Sequence, residues 1–178
     1  MPNDTIHIIN THNSSYDVKK LKNDGIWVLT SSLIQEIMPN PDSIFIANSE
    51  NSLLKCLNLN TNYHVVTNNK LFQKYIFFEK LDTFPQFTSS LGGVFNELDL
   101  SEQILALLFG LWTEKSIVYL FEFDIEDLTE RAIVLSILES HPNQKIYYVK
   151  KPGFNKYLFG KLSNVKVIDY EDYENINN

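Results

Sequence analysis

Short runs of β-branched and aromatic residues recur along the chain, separated by stretches with helical spacing. Several runs, such as Ile117–Phe121, are apolar at every position. A continuous apolar run is typical of a strand that is covered on both faces in a parallel sheet, since a half-exposed strand would alternate apolar and polar residues. Seven strands are predicted: Ile6–Asn10, Ile26–Thr30, Ile44–Asn48, Tyr63–Thr67, Ile117–Phe123, Lys145–Val149 and Val165–Asp169.

The stretches between these strands predict helices. The predicted helices are Leu33–Met38, Ser52–Leu57, Ser101–Trp112, Thr129–Ser140 and Phe154–Leu162. Alternating strands and helices are typical of α/β folds with right-handed crossovers. We therefore expect one α/β domain over residues 1–178, a three-layer Rossmann-like fold with a mostly parallel central sheet.

Local signals mark helix starts and irregular segments. Three pairs have capping-box spacing: Ser32 with Gln35, Asp99 with Glu102, and Asp127 with Glu130. A long irregular loop is expected at about 81–96, because prolines, serines and glycines cluster there. The acidic, polar tail at about 170–178 is expected to fray after the last strand.

Composition and charge exclude several classes of protein. A chain of 178 residues fits one domain, and a single cysteine allows no internal disulfide or thiolate cluster, which indicates a reducing, cytoplasmic environment. The net charge of -7, without a Lys/Arg run, argues against nucleic-acid binding. No apolar stretch approaches the roughly 20 residues of a membrane span, so none is expected.

Polar clusters directly follow four of the predicted strands. They are Asn10–Ser15, Thr30–Ser32, Asn48–Ser52 and Thr67–Asn69. In an open α/β sheet the ligand crevice lies beyond the carboxyl ends of the strands, where such side chains could bind a ribose, a base edge or a sugar. Serine, threonine and asparagine are also the preferred helix caps, so capping is the alternative interpretation of each cluster.

Three common catalytic motifs are absent from the sequence. It contains no Walker-type phosphate loop, no GxGxxG and no GxSxG nucleophile elbow. Ordinary ATPase, GTPase and dinucleotide-dehydrogenase functions therefore lose their main support. A phosphate would have to be held by other groups.

Carboxylates and histidines supply the candidate acid–base groups. Glu122 and Asp124 end a predicted strand, where they could hold Mg²⁺ or form an acid–base pair, unless they are only a solvated strand end leading into a capped helix. His12 follows the first strand and is the best placed general base. His7 and His64 lie in strands and are expected to be structural, as is Cys56 on an apolar helix face.

Four segments between Ser43 and Pro152 resemble the nucleotide-binding domain of bacterial sialyltransferases and related motility-accessory glycosyltransferases. The run Ile44–Leu53 is similar to a strand ending in that family's Gly-Asn-Gly-Pro-Ser turn, without its glycines and proline. Val65–Asn68 is similar to the next family strand, which ends in an Asn facing the nucleotide. Three later motifs of the family also have similar segments here. Its Thr-Ser-Gly turn resembles Ser89–Gly92, its Leu-Gly-Tyr-Lys stretch resembles Leu108–Trp112, and its Gly-x-Asp strand resembles Ile117–Asp124.

The resemblance implies a nucleotide or nucleotide-sugar ligand and no other cofactor, with Mg²⁺ left open. The implied ligand residues are Asn48, Ser49, Asn68, Ser90 and Gly92, with Asp124 nearby. The family's catalytic histidine lies in an insert after the Gly-x-Asp strand, and this chain has no histidine there. The candidate catalytic residues are therefore His12 and Asp124, in a relative whose transfer activity is reduced or lost.

Two other functions remain open. The first is a non-enzymatic interaction or assembly protein with a protein partner, of the kind a phage encodes. This function is supported by aromatic residues in two parts of the chain, which are Tyr75–Phe78, Tyr147, Tyr148, Phe154, Tyr157 and Phe159. Such residues favour an interface if several are exposed together. The second is a metal-dependent hydrolase or nuclease that uses Glu122, Asp124 and Asp127.

Overall fold

The protein is described here by a computed structural model. It describes residues 4–9, 26–30, 44–47, 49–58, 64–67, 81–83, 101–121, 128–150, 159 and 162–176. The strands in this part are β1 Thr5–Ile9, β2 Ile26–Thr30, β3 Ile44–Ile46, β4 His64–Thr67, β5 Leu81–Thr83, β6 Ile117–Phe121, β7 Lys145–Val149 and β8 Val165–Ile168. The helices are α1 Glu50–Leu57, α2 Glu102–Trp112, α3 Leu128–Glu139 and α4 Tyr170–Ile176.

The strands form one sheet in the order β5-β4-β3-β2-β1-β6-β7-β8. Every neighbouring pair is parallel. The chain starts in the middle with β1, adds β2 to β5 on one side, and returns to the other side of β1 with β6 to β8. The order of strands therefore reverses between β1 and β6, where Ile9 is paired with Phe121.

The central strands are buried on both faces. In each of β1, β2, β6 and β7 the last four of five residues are buried. Such burial requires apolar residues at successive positions, which is why these strands have continuous apolar runs. The prediction of a parallel sheet covered on both sides is confirmed.

One face of the sheet, which we call the first face, carries Ile6 and Ile8 of β1 and the residues in register with them. It packs against α2 and α3 in a single apolar cluster. In α2 every residue from Ile104 to Leu111 is buried, so this helix lies deep in the protein. Its almost uniformly apolar sequence is what a helix surrounded by core requires.

The opposite side, the second face, carries His7 and Ile9 of β1. It packs against Leu53 and Cys56 of α1 and Tyr173 of α4 in a second cluster. With helices on both sides of a parallel sheet, the predicted three-layer α/β fold is confirmed. No helix in the described parts of the chain is long and apolar enough to cross a membrane.

Three local predictions are wrong. Residues 81–83, expected in an irregular loop, form the edge strand β5, whose three residues are too few to produce a periodic pattern. The tail expected to fray forms α4, because Tyr173 is buried at 1 % exposure and anchors it. The cap of α2 is Ser101, whose Oγ lies 3.5 Å from the Ile104 amide, and not Asp99.

Other predicted features lie outside the described residues. These are the helix Leu33–Met38, most of the helix Phe154–Leu162, the pair Ser32 and Gln35, Asp127, and the rest of the loop at 84–96.

Candidate functional site

The carboxyl edge of the sheet is the candidate site. Of the helices described, α1, α3 and α4 follow strands, so each begins at this edge. A short turn connects the last residue of α2, Trp112, to the amino end of β6 at Ile117, so α2 also begins there. The reversal of strand order between β1 and β6 marks the point at which open α/β sheets form their ligand crevice.

Ser49 is the one predicted ligand residue that the structure describes. It is exposed and is the N-cap of α1. Its Oγ accepts a hydrogen bond from the Ser52 amide at 3.2 Å and donates one to Ser52 Oγ at 2.9 Å. The capping interpretation of this polar cluster is therefore correct for Ser49.

In the part of the chain that the structure describes, each helix that begins at this edge carries an acidic residue in its first turn. These residues are Glu50 in α1, Glu102 in α2, Glu130 in α3, and Glu171 and Asp172 in α4. Carboxylates stabilise a helix at this end because they complement its dipole. The same charges repel a bare phosphate that approaches these helix starts.

A lysine at the same edge is also paired with an acid. Lys150 directly follows β7, and its Nζ lies 3.2 Å from a carboxylate oxygen of Asp169. Within the described residues, no group of three or more His, Cys, Asp or Glu side chains could hold a metal ion.

The remaining predicted site residues lie outside the described residues. They are His12, Asn48, Asn68, Ser90, Gly92, Glu122, Asp124 and Asp127. In the sequence, His12 comes three residues after the end of β1 and Asp124 three residues after the end of β6. These two candidates therefore follow the pair of strands between which the order reverses.

An aromatic cluster on the second face was not predicted. His7, 1 % exposed, has its Nε2 3.0 Å from the Tyr173 hydroxyl, and its ring stacks on that of Tyr119 at 5.1 Å. The Tyr173 ring lies edge-on to Tyr119 and to Phe121, each at 5.0 Å. The expected structural role of His7 is confirmed. The feature of the sequence that could have indicated this cluster is the spacing of Tyr170 and Tyr173 in the tail, which places both on one side of a helix.

The other polar and aromatic candidates have structural roles. Cys56 is buried, and burial raises the pKa of its thiol to about 12, which confirms the expected inert core cysteine. Tyr147, Tyr148 and Phe159 are buried, so they form no exposed aromatic patch. The side chains of His64 and of Tyr75–Phe78, Phe154 and Tyr157 lie outside what the structure describes.

One histidine lies at the opposite edge of the sheet. His141 follows α3 and precedes β7, and its Nδ1 lies 2.8 Å from the carbonyl oxygen of Ile137. It therefore lies away from the candidate site.

Comparison with known proteins adds nothing to this description of the site. No protein-family model, curated protein or solved structure matches the chain. The order of the strands and the positions of the helix starts are therefore the features that bear on function.

Proposed function

We propose that the protein binds a nucleotide or a nucleotide sugar at the carboxyl edge of the sheet, over β1 and β6. The observation that carries this proposal is the reversal of strand order between these two parallel strands, whose last residues, Ile9 and Phe121, are in register. Crevices of this kind bind nucleotides and related ligands in open α/β sheets. The chain is of glycosyltransferase-like ancestry in this proposal, with reduced or absent transfer activity.

The proposal assigns its ligand residues different roles according to the strands that they follow. His12 and Asp124 come after the strands on either side of the reversal, so we assign them to the centre of the proposed crevice. Asn48 and Ser49 follow β3, and Asn68 follows β4, which is four strand positions from β6. At about 4.8 Å per strand, the ends of β4 and β6 are about 19 Å apart.

That distance favours an extended ligand over a small one. A nucleotide sugar can place its nucleotide over one part of the edge and its sugar over another, whereas a single phosphate does not span the ends of β4 and β6. Ser90 and Gly92 precede α2 in the chain and complete the proposed rim. The acidic first turns favour a ligand whose phosphates arrive with a divalent cation over bare phosphate.

The alternatives have less support in the described residues. Tyr147, Tyr148 and Phe159 are core residues, so they do not supply the exposed aromatic surface of an interaction protein. A metal-dependent hydrolase would depend on Glu122, Asp124 and Asp127, which the structure does not describe. Since Cys56 is a buried free thiol, the proposal places the protein in the reducing cytoplasm.

Thermal unfolding in the presence of ligands tests the proposal. CMP, UDP, GDP and their sugar conjugates are added at millimolar concentration, each with and without Mg²⁺. Because a ligand of the native state must stabilise it, by about 2.7 kcal/mol at 100 times its Kd, at least one should raise the Tm. No shift with any of them would contradict the proposal.

Matched variants locate the site. Asn48→Ala and Asn68→Ala should each reduce or abolish the ligand-induced shift. Asn143→Ala is the control, because Asn143 is an exposed residue in the turn before β7, at the opposite edge of the sheet. An equal loss of the shift in the control would show that the change is not specific to the carboxyl edge.

A further inference from the structure

β8 is the outermost strand on one side of the sheet. Among the strands that the structure describes, its one neighbour is β7. The amide of Ile146 in β7 donates to the carbonyl oxygen of Asn164, so the backbone groups of Asn164 point towards β7. Because these groups alternate in direction along a strand, those of Val165 and Val167 point away from β7, to the open side of β8.

Some of the backbone groups on the open side of β8 are bonded within the chain. The Val165 amide donates to the Leu162 carbonyl at 3.3 Å, and the Asp169 amide lies 3.5 Å from Asp172 Oδ2. Within the described residues, the Val165 carbonyl and both backbone groups of Val167 have no hydrogen-bond partner. Unpaired groups of this kind are a template for a further strand.

The side chains of β8 divide between the two faces of the sheet. Val165 and Val167 are half-buried and pack against the apolar cluster of the first face. Lys166 is exposed on the second face, in register with Tyr147 of β7. Among the described residues, no carboxylate forms an ion pair with Lys166. Its charge is therefore available to an acidic group of another molecule.

The chain changes the sign of its charge along β8. Residues 145–166 contain six lysines and no acidic residue, whereas residues 169–174 contain four acidic residues and no lysine or arginine. Two copies of this segment are complementary when they lie antiparallel, because the basic end of each is then beside the acidic end of the other. This pattern identifies a second copy of the chain as the molecule that fits the open side of β8.

We propose that two copies of the chain form a two-fold symmetric dimer by antiparallel pairing of their β8 strands. The axis passes beside Val167, whose amide and carbonyl form two hydrogen bonds with those of Val167 in the other copy. The Val165 carbonyl then faces the Asp169 amide of the other copy. The two sheets join into one, with the two β8 strands at its centre.

This register also brings opposite charges together. Lys166 lies opposite Ile168 of the other copy and beside the start of its α4, where Glu171 and Asp172 are exposed. A register with the axis at Lys166 would place the two lysines directly opposite each other, and like charges in that position are destabilising. It would also direct the Val167 carbonyl at an amide that already donates within its own chain.

The dimer is a weak one. A strand of four residues buries less than the roughly 1,200 Å² of a stable interface. The net charge of -7 on each copy also opposes association. The dimer therefore forms in a concentration-dependent equilibrium with the monomer.

Sedimentation velocity of the full chain, from about 10 μM to about 1 mM, tests the proposal. The weight-average mass should rise from 20.7 kDa towards twice that value and level off there, because a two-fold contact closes at two copies. A monomer at every concentration would overturn the proposal and leave the open side of β8 to a segment of another protein. A mass that rises past two copies would also overturn it.

A charge reversal assigns the contact to β8. Lys166→Glu turns two attractive contacts into repulsive ones, so it should raise the Kd of the dimer about fivefold or more. Lys55→Glu is the control: it changes the net charge equally, at an exposed residue of α1 on the part of the second face formed by β3 and β4. An unchanged Kd in Lys166→Glu, or the same rise in both variants, would overturn the proposal.

A cysteine at the axis tests the register. Directly opposed residues of a hydrogen-bonded antiparallel pair have Cα atoms about 5.5 Å apart, which a disulfide can span. With oxidised glutathione, Val167→Cys should form a cross-linked dimer about tenfold or more faster than Ser163→Cys, whose cysteine is exposed in the turn before β8 and faces residue 171 of the other copy. Equal rates of cross-linking would overturn the proposal.

Discussion

Gly110 of α2 lies directly against Ile8 of β1. A Cβ built on Gly110 would be 2.7 Å from Ile8 Cγ1 and would also overlap Ile8 Cδ1. The missing side chain lets the helix backbone approach the central strand of the sheet. This contact fixes the position of α2 over β1 on the first face.

Gly110→Ala should therefore destabilise the protein. The added methyl group must displace Ile8 or the helix, and overpacking of this kind lowers the free energy of unfolding by about 1–3 kcal/mol. Urea denaturation measures the change. Ile8→Val removes the overlapping methyl group, so it should lower the free energy of unfolding less in the Gly110→Ala variant than in the unmodified chain. If the losses of the two single variants simply add up in the double variant, the contact between Gly110 and Ile8 is contradicted.

Glu114→Gly should stabilise the protein. Glu114 is an exposed turn residue between α2 and β6 with a φ of 56°, a left-handed conformation that costs a side-chain-bearing residue about 1 kcal/mol. We expect the midpoint of urea unfolding to rise by the equivalent of about 0.5 kcal/mol or more. Glu139→Gly is the control: Glu139 is exposed at the end of α3 without a positive φ, so the same change there should destabilise.

Asp4→Ala should destabilise the protein in a pH-dependent way. Hydrogen bonds from the side chain and backbone of Ser116 lower the pKa of the Asp4 carboxyl below its ordinary 3.8, with the backbone amide 3.1 Å from Oδ1. A lowered pKa means that the carboxylate stabilises the fold above about pH 3.8 and that this contribution is lost as the pH falls through the native pKa.

The difference in Tm between the unmodified chain and Asp4→Ala should thus be constant between pH 5 and pH 8 and narrow below about pH 4. A difference that widens in acid would contradict the assignment. The test also probes the link between the starts of β1 and β6, which this hydrogen bond connects.

Cys56 should not react with thiol reagents while the protein is folded. It is 1 % exposed, and burial raises the pKa of its thiol to about 12, so at pH 8 the reactive thiolate is almost absent. A disulfide reagent that releases a coloured thiol should show one reactive group in urea and essentially none under native conditions. Rapid native labelling would contradict the burial of α1 on the second face.

The fold class could be predicted because burial of the central strands leaves a pattern in a few consecutive residues of the sequence. A strand covered on both faces needs consecutive apolar residues, and β1, β2, β6 and β7 have them. β5 was missed because its three residues show no period. α4 was missed because its acidic, polar sequence favours solvent, and the contacts of Tyr173 and Tyr170 with the cluster on the second face, which hold it in place, depend on distant strands.

The candidate site could be predicted only in part. Polar residues after strands are visible in the sequence, and Ser49 shows that the same residue type also serves as a cap. The order of the strands is decided by how the helices pack on the sheet, so the reversal between β1 and β6 could not be read from the sequence. The hydrogen bond between His7 and Tyr173 depends on that order as well.

The most direct test of the proposed nucleotide site is a two-dimensional amide NMR titration of the full chain with the nucleotide or nucleotide sugar that raises the Tm most. We expect the largest shift changes in residues 10–13 and 122–125, which follow β1 and β6, and little change at Asp4, Ser116 and Asn143 at the opposite edge. No shift changes at millimolar ligand, or the largest changes at that opposite edge, would contradict it.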